Sequence, residues 1–196
     1  MQDSLESLRA DLTAPDAAWT RLPHAYGTAV DTPAHLLALL GDDLAAQAAA
    51  VDHFGSAIVH QSTIWPSSAD AFGFLIRVLT LVPLPEQTMV GCLHALAEAG
   101  EQAGEVDDTE PVPDLSTEAQ AWLNSFGSAD EAEQEELWED FLGSDLDDEV
   151  YRWQLIRCAR LRPALTDALS TVRQATRSPE MAEAVGAVRS TWAIDG

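Results

Sequence analysis

Apolar residues recur at helical spacing along nearly the whole chain, and the breaks between runs fall at hairpin distances. Leu5, Leu8 and Leu12 mark a first short helix. Asp31-Thr32-Pro33 is a cap followed by an N1 proline, and the helix it opens runs through Leu36 to a stop at Gly41. Gly41-Asp42-Asp43 opens an alanine-rich helix through Val51 and Phe54, and Pro66-Ser67-Ser68 opens another from Asp70 to Leu81. Phe72, Phe74, Leu75, Ile76, Val78 and Leu79 make that segment apolar almost all round, so it is expected at the centre of the core. Pro83 and Pro85 separate it from a helix with Met89, Leu93 and Leu96 on one face. Further helical runs centre on Trp122, Trp138, Leu155 and Leu169, and the last carries Met181, Ala184, Val185, Val188 and Trp192. Alternating β-branched residues are confined to Ile58–Val59 and Thr80–Val82. The expectation is an all-α chain of eight to ten helices in stacked antiparallel pairs, with no sheet.

The charge narrows the choice of partner. Ten arginines and no lysine face 33 acids, a net charge of −23. Residues 1–100 carry 11 acids and 3 arginines, residues 101–150 carry 18 acids and no arginine, and residues 151–196 carry 4 acids and 7 arginines. Such a field repels nucleic acid and anionic membrane, so neither is expected as a partner. With 46% hydrophobic residues and six tryptophans the chain has ample material for a core. No apolar run approaches the roughly 20 residues of a membrane span. The start of the chain is polar and acidic, without the cationic and apolar regions of a signal peptide, which points to the cytoplasm. Cys92 and Cys158 sit in apolar helical patterns and are expected as buried free thiols.

Three segments follow: helical repeats over 1–100, an acidic loop over 101–115 with Gly104, Pro111 and Pro113, and further helical hairpins over 116–196 packed on the same array as one domain. Thr32 to His60 and Ser68 to Gly100 share a helix–turn–helix layout of the size that stacks into repeat arrays. Trp19, the run Leu22-Pro23-His24-Ala25-Tyr26-Gly27-Thr28-Ala29, and Asp31-Thr32-Pro33 resemble the opening of a bacterial family of HEAT-repeat proteins. The turn His60-Gln61-Ser62-Thr63-Ile64-Trp65-Pro66 is similar to that family's second signature, where a helix ends in a His-Gln pair and an aromatic precedes the next helix. The resemblance covers residues 19–100 and implies an α-solenoid, with no general activity attached. Trp19, His24, Tyr26, Trp65 and Pro66 are then expected to be buried between successive hairpins.

Two groups of residues are candidates for function. Glu131, Glu135 and Glu139 form one stripe on a helix, with Glu136 and Asp140 beside it. Each like-charge pair one turn apart costs roughly 0.2–0.5 kcal/mol, so the stripe weakens its own helix. Glu139 and Asp140 also lie at the helix end that disfavours anions. Asp145, Asp147, Asp148 and Glu149 extend the acidic stretch, but Val150 stands where an EF-hand loop needs glycine, and the acids suit a helix N-terminus. The stretch reads as a docking face for a basic partner protein, in the style of an immunity or antitoxin-type inhibitor, with Trp122 and Trp138 as anchors. The rival reading is that the seven C-terminal arginines fold back and pair with these acids.

The second candidate is a small-molecule pocket or small active site at His24, Tyr26, His60 and Trp65. His53 and His60 stand seven apart, on one face if a single helix runs through them, and Asp31 and His35 stand four apart. No HExxH, CxxC or GxSxG pattern occurs, so no metal, cofactor or catalytic nucleophile is expected.

Overall fold

The most apolar segment does become the centre. A computed structural model of the chain describes residues 2–13, 19, 21–175 and 178–194; residues 14–18 and 20, inside the first helical block, lie outside the described residues. The helices are α1 (Gln2–Thr13), α2 (Thr32–Ala38), α3 (Leu44–His53), α4 (Ser68–Leu81), α5 (Glu86–Ala103), α6 (Thr117–Ser128), α7 (Glu131–Phe141), α8 (Asp145–Ala159), α9 (Arg162–Ala175) and α10 (Pro179–Thr191). The described chain is thus predominantly α-helical, as its periodicity requires. In α4, Phe72, Leu75 and Val78 have no exposed surface, and the core gathers around them from α1 to α5, α9 and α10.

The expectation of no sheet needs correction. Two small antiparallel hairpins pair β1 (Pro23–His24) with β2 (Gly27–Thr28), and β3 (Val59–His60) with β4 (Thr63–Ile64). Strands of two residues leave no alternation to read. Helix α3 also stops at His53, and a π-helical turn over Phe54–Ile58 leads into β3. His53 and His60 therefore do not share a helix face. Gln61 and Ser62 both have positive φ, 52° and 60°, in the β3–β4 turn. Glu98 holds this strained turn by accepting from the Ser62 N–H at 2.9 Å.

Helix α5 runs on to Ala103, three residues into the expected acidic loop, because Ala99 and Ala103 are buried under α10. The two helices meet almost backbone to backbone. A Cβ on Gly100 would stand 2.3 Å from the Trp192 ring, and one on Gly104 would stand 1.7 Å from the Thr191 carbonyl oxygen. Trp192 has no exposed surface, and its Nε1–H donates to the Leu96 carbonyl at 2.6 Å. Arg162 covers the end of α5, with Nη2 donating to the carbonyls of Ala103, Gly104 and Val106. A helix terminus leaves such carbonyls unpaired, and the guanidinium supplies their donors.

A second, smaller core lies apart from the first. Trp122, Leu123, Phe126, Phe141 and Val150 from α6, α7 and the start of α8 pack with Leu22, Ala119 and the half-buried Trp138. Its rings stack closely, Trp122 on Phe141 at 3.9 Å and on Trp138 at 5.5 Å. Helix α8 joins the two cores. Arg157 donates through Nη2 to both oxygens of Asp70 at 2.9 Å and lies 4.3 Å over the Trp153 ring. Gln154 Nε2 donates to the Ile64 carbonyl at 2.5 Å, and Tyr151 donates to Gln102 Oε1 at 3.0 Å.

The contact between α5 and α10 sets opposite expectations for two glycines. Gly104→Ala should lose about 3 kcal/mol, because the new methyl meets main chain that cannot move aside. Gly186→Ala, where a Cβ meets nothing within 4 Å, should gain about 0.5–1 kcal/mol from helix propensity. Urea unfolding of the two variants measures both.

Candidate functional site

The β1–β2 hairpin is built around one histidine. His24 is 5% exposed. The Tyr26 N–H donates to its Nδ1 at 3.1 Å, so Nδ1 holds a lone pair and Nε2 carries the proton. Nε2 then donates to Asp31 Oδ1 at 2.9 Å. Asp31 occupies the N-cap position of α2, yet its side chain makes no capping bond. The sequence reading of Asp31 as a cap is corrected here: the carboxylate is diverted to His24, and Pro33 lessens the need for a cap by removing a donor from the first turn.

His53 closes the group from the other side. Its ring stacks on His35 at 4.1 Å and meets His24 edge-on at 5.5 Å, while Nε2 lies 2.9 Å from Thr32 Oγ1. Burial, together with the His35 ring, pushes the His53 pKa down from 6.5 to about 4. Burial, the largest single influence, opposes the charge on Asp31, but the His24 hydrogen bond and the electrostatic attraction of His24 and His53 together outweigh it and hold the carboxyl below its usual value. Ligand atoms of His24, Asp31 and His53 lie within 4.8 Å of one another. A metal-bound imidazole donates its other N–H to an acceptor, whereas His24 Nδ1 receives a donor. The group is therefore a structural knot that fixes the hairpin: His24 bonds to Asp31, His53 bonds to Thr32, and the rings of the two histidines pack edge-on. With both ring nitrogens engaged, His24 offers no general base.

The expected pocket at His24, Tyr26, His60 and Trp65 divides. Tyr26 and His60 meet edge-on at 5.5 Å across the tips of the two hairpins. Trp65 turns away to pack against Trp138 at 5.4 Å. Trp19, His24 and Pro66 are buried, but Trp65 is only half-buried and Tyr26 is 67% exposed. The burial expected of Tyr26 is thus overturned, because the hairpin tip projects its ring off the core.

What Tyr26 projects toward is α7. A groove of about 300 Å³ runs between the hairpin and that helix, with His24, Tyr26 and Gly27 on one wall and Glu131, Glu135 and Trp138 on the other. Gly27, at φ 125°, approaches so closely that a Cβ there would stand 3.0 Å from Gln134 Oε1. Gln134 is held in turn by Nε2 bonds to the carbonyls of Phe126 and Ala129. Members of the two groups of candidate residues, His24 and Tyr26 from one and Glu131 and Glu135 from the other, line one groove.

The acids of α7 stand bare. Glu131, Glu135, Glu136, Glu139 and Asp140 are exposed. Among the described residues no recorded ion pair involves an acid between 130 and 149; Arg152, Arg157 and Arg162 pair with Glu110, Asp70 and Asp108. The recorded C-terminal arginine pairs thus lead to the 105–110 loop and α4, away from α7. Local bonds offset the repulsion within the stripe. Asp130 accepts from the N–H groups of Ala132 and Glu133, and Glu133 accepts from the Asp130 N–H, a capping box that the spacing Asp130-x-x-Glu133 announces in the sequence. Of the acids on α8, Asp145 and Asp148 are exposed, Asp147 accepts from the Gly143 N–H, and Glu149 accepts from Ser116. Trp122 is buried and cannot serve as an exposed anchor, whereas Trp138 lines the groove. Cys92 and Cys158 are free and buried, with pKa values pushed up to about 12 by burial.

No family model, curated protein or solved structure matches this chain.

The histidine knot makes a signed prediction. A histidine pKa lower in the folded than in the unfolded state means that the unfolded chain binds the proton first. The His53 contribution is intact above pH 6.5 and is lost as pH falls toward about 4; that of Asp31 is lost only below its normal value of 3.8. His53→Gln should flatten the decline of the thermal midpoint between pH 6.5 and 4 and leave the steeper acid limb in place.

Proposed function

We propose that this chain is a non-catalytic binding protein that holds a basic protein partner on α7 and in the groove beside it. The carrying observation is the acidic face itself: among the described residues no ion pair involves Glu131, Glu135, Glu136, Glu139 or Asp140, whereas Arg77, Arg152, Arg157 and Arg162 pair with acids elsewhere in the fold. A lysine or arginine side chain entering the groove would meet the carboxylates of Glu131 and Glu135 and the faces of Tyr26 and Trp138. Carboxylate pairing and cation–π contact both favour a cation there. Arginine fits better than lysine, because its plane stacks on a ring while its edge pairs with a carboxylate. A concrete form is an immunity or antitoxin-type inhibitor that covers a basic cleft in its partner. Asp145, Asp147 and Asp148 extend the negative field toward α8.

Several finer assignments belong to the same proposal. The helix–turn–helix units Thr32–His60 and Ser68–Gly100 are read as HEAT-like repeats, with α10 seated closely on α5. No helix among the described residues is long and apolar enough to cross a membrane. A cytoplasmic location accords with the two free thiols, and the net charge of −23 disfavours nucleic acid as partner. The alternative of a small enzyme loses its best candidate base in His24, whose ring nitrogens are both engaged.

The test replaces Glu131, Glu135 and Glu139 together by Lys. Binding of an arginine-rich peptide, followed by calorimetry, should weaken more than tenfold while the circular dichroism of the helices is kept. In the unaltered protein the same binding should weaken with added salt, chiefly through a slower on-rate. Unchanged affinity in the triple variant would reject the acidic face as the binding surface.

A further inference from the structure

Four rings line the groove beside α7, and they stand in two pairs. His24 and Tyr26, on the β1–β2 hairpin, meet at 75° with centroids 6.3 Å apart. Phe126 and Trp138, from α6 and α7, meet at 57° and 5.5 Å. Each pair makes a corner, not a parallel slot. His24 and Phe126 are almost wholly buried and back the corners, whereas Tyr26 is 67% exposed and Trp138 half-buried, so these two supply the accessible aromatic surface. The polar groups beside the rings are acceptors. Glu131 and Glu135 stand one turn apart on α7, both exposed. Gln134 turns its Oε1 toward the hairpin, 3.0 Å from where a Cβ on Gly27 would stand. Its amide cannot be reversed, because Nε2 donates to the carbonyls of both Phe126 and Ala129. No arginine is among the residues that line this groove.

Resting on the reading of this groove as a cation site, we propose that the cation it takes is a quaternary ammonium group, a trimethylated nitrogen carried by a small solute or by a lysine of the basic partner. Such a nitrogen spreads its charge over methyl groups that point in several directions, so it touches both rings of a corner at once. A guanidinium is flat and lies on one ring. A lysine ammonium is compact and strongly hydrated, and it gives up more water to reach a ring face. Aromatic faces attract the methylated cation through their quadrupoles. The carboxylates of Glu131 and Glu135 supply the remaining countercharge and need no N–H to do so. A ligand with its own carboxylate close to the nitrogen meets the same two acids and is disfavoured.

Choline is the first probe, with neohexyl alcohol, its uncharged isostere, as the control for shape and ethanolamine as the control for methylation. Calorimetry on the full chain should show choline binding about tenfold tighter than either control. The choline methyl protons should move upfield, as protons over an aromatic face do. A basic peptide with one trimethylated lysine, set against the same peptide unmethylated, tests the other source. Tighter binding of the methylated peptide puts the group on a partner protein; a preference confined to free choline puts it on a solute. Tyr26→Leu keeps the backbone N–H that bonds His24 and removes the exposed ring. It should weaken the quaternary ligand roughly fivefold at an unchanged thermal midpoint. Equal binding of choline and its two controls, together with equal binding of the two peptides, would overturn the proposal, and so would undiminished affinity in Tyr26→Leu. An arginine-rich peptide separates that failure from failure of the acidic face: if it still binds, only the choice of cation is wrong, and if it does not, the groove is no cation site.

Discussion

The position of the acidic face depends on how α8 is pinned. The lobe of α6 and α7 has a core of its own, and α8 ties it to the main body together with Leu22, Trp65 and the β1–β2 hairpin. Arg157 grips both oxygens of Asp70 and lies over Trp153, with side chains only 22% and 27% exposed across the ion pair. In so sheltered a setting a charge stripped of its partner is costly, so the contact is close to all-or-none. Gln154 and Tyr151 extend the grip to β4 and α5. Because these bonds fix the rotation of α8, they set where α7 stands against the β1–β2 hairpin, and hence the width of the groove.

Arginine placement then determines what the groove presents to its surroundings. Arg152 and Arg162 pair with acids of the 105–110 loop, and Arg162 also covers the end of α5. The loop is acidic but locally compensated; α7 is acidic and left open. Net charge is a property of the whole chain, whereas attraction to a partner depends on where the charge goes unbalanced.

Much of the fold was legible from residue spacing, and the reason is physical. Leu36, Phe72, Leu93 and Val188 are all fully buried, and each sits in a run whose 3.6-residue period faces it inward. The hairpins escaped notice because each strand has two residues and its turn is stabilised from a distance, by Glu98 in one case and by Asp31 in the other. Asp31 looked like a cap because its neighbours have capping chemistry; only the fold brings His24 within its reach. The individual acids of α7 and the residues of the signature turns were visible as separate groups. The meeting of His24 and Tyr26 with Glu131 and Glu135 in one groove was not, since it joins two distant segments and no local spacing encodes that contact. Trp65 shares a signature turn with His60, and stacked repeats would bring that turn beside His24 and Tyr26; the small core instead draws the Trp65 ring toward Trp138.

The close seating of α10 on α5 bears on how the chain reaches this state. Leu96, Gly100 and Gly104 present a strip that is complete only once Trp192 lies on it. During synthesis that strip waits, apolar and uncovered, while all of the intervening helices are made. Loop closure over so long a stretch is slow, and a chain with an open apolar strip is prone to bind its neighbours. The strong negative charge that accumulates through residues 101–150 emerges during the same interval. Like charge on nascent chains opposes their association until α10 covers the strip.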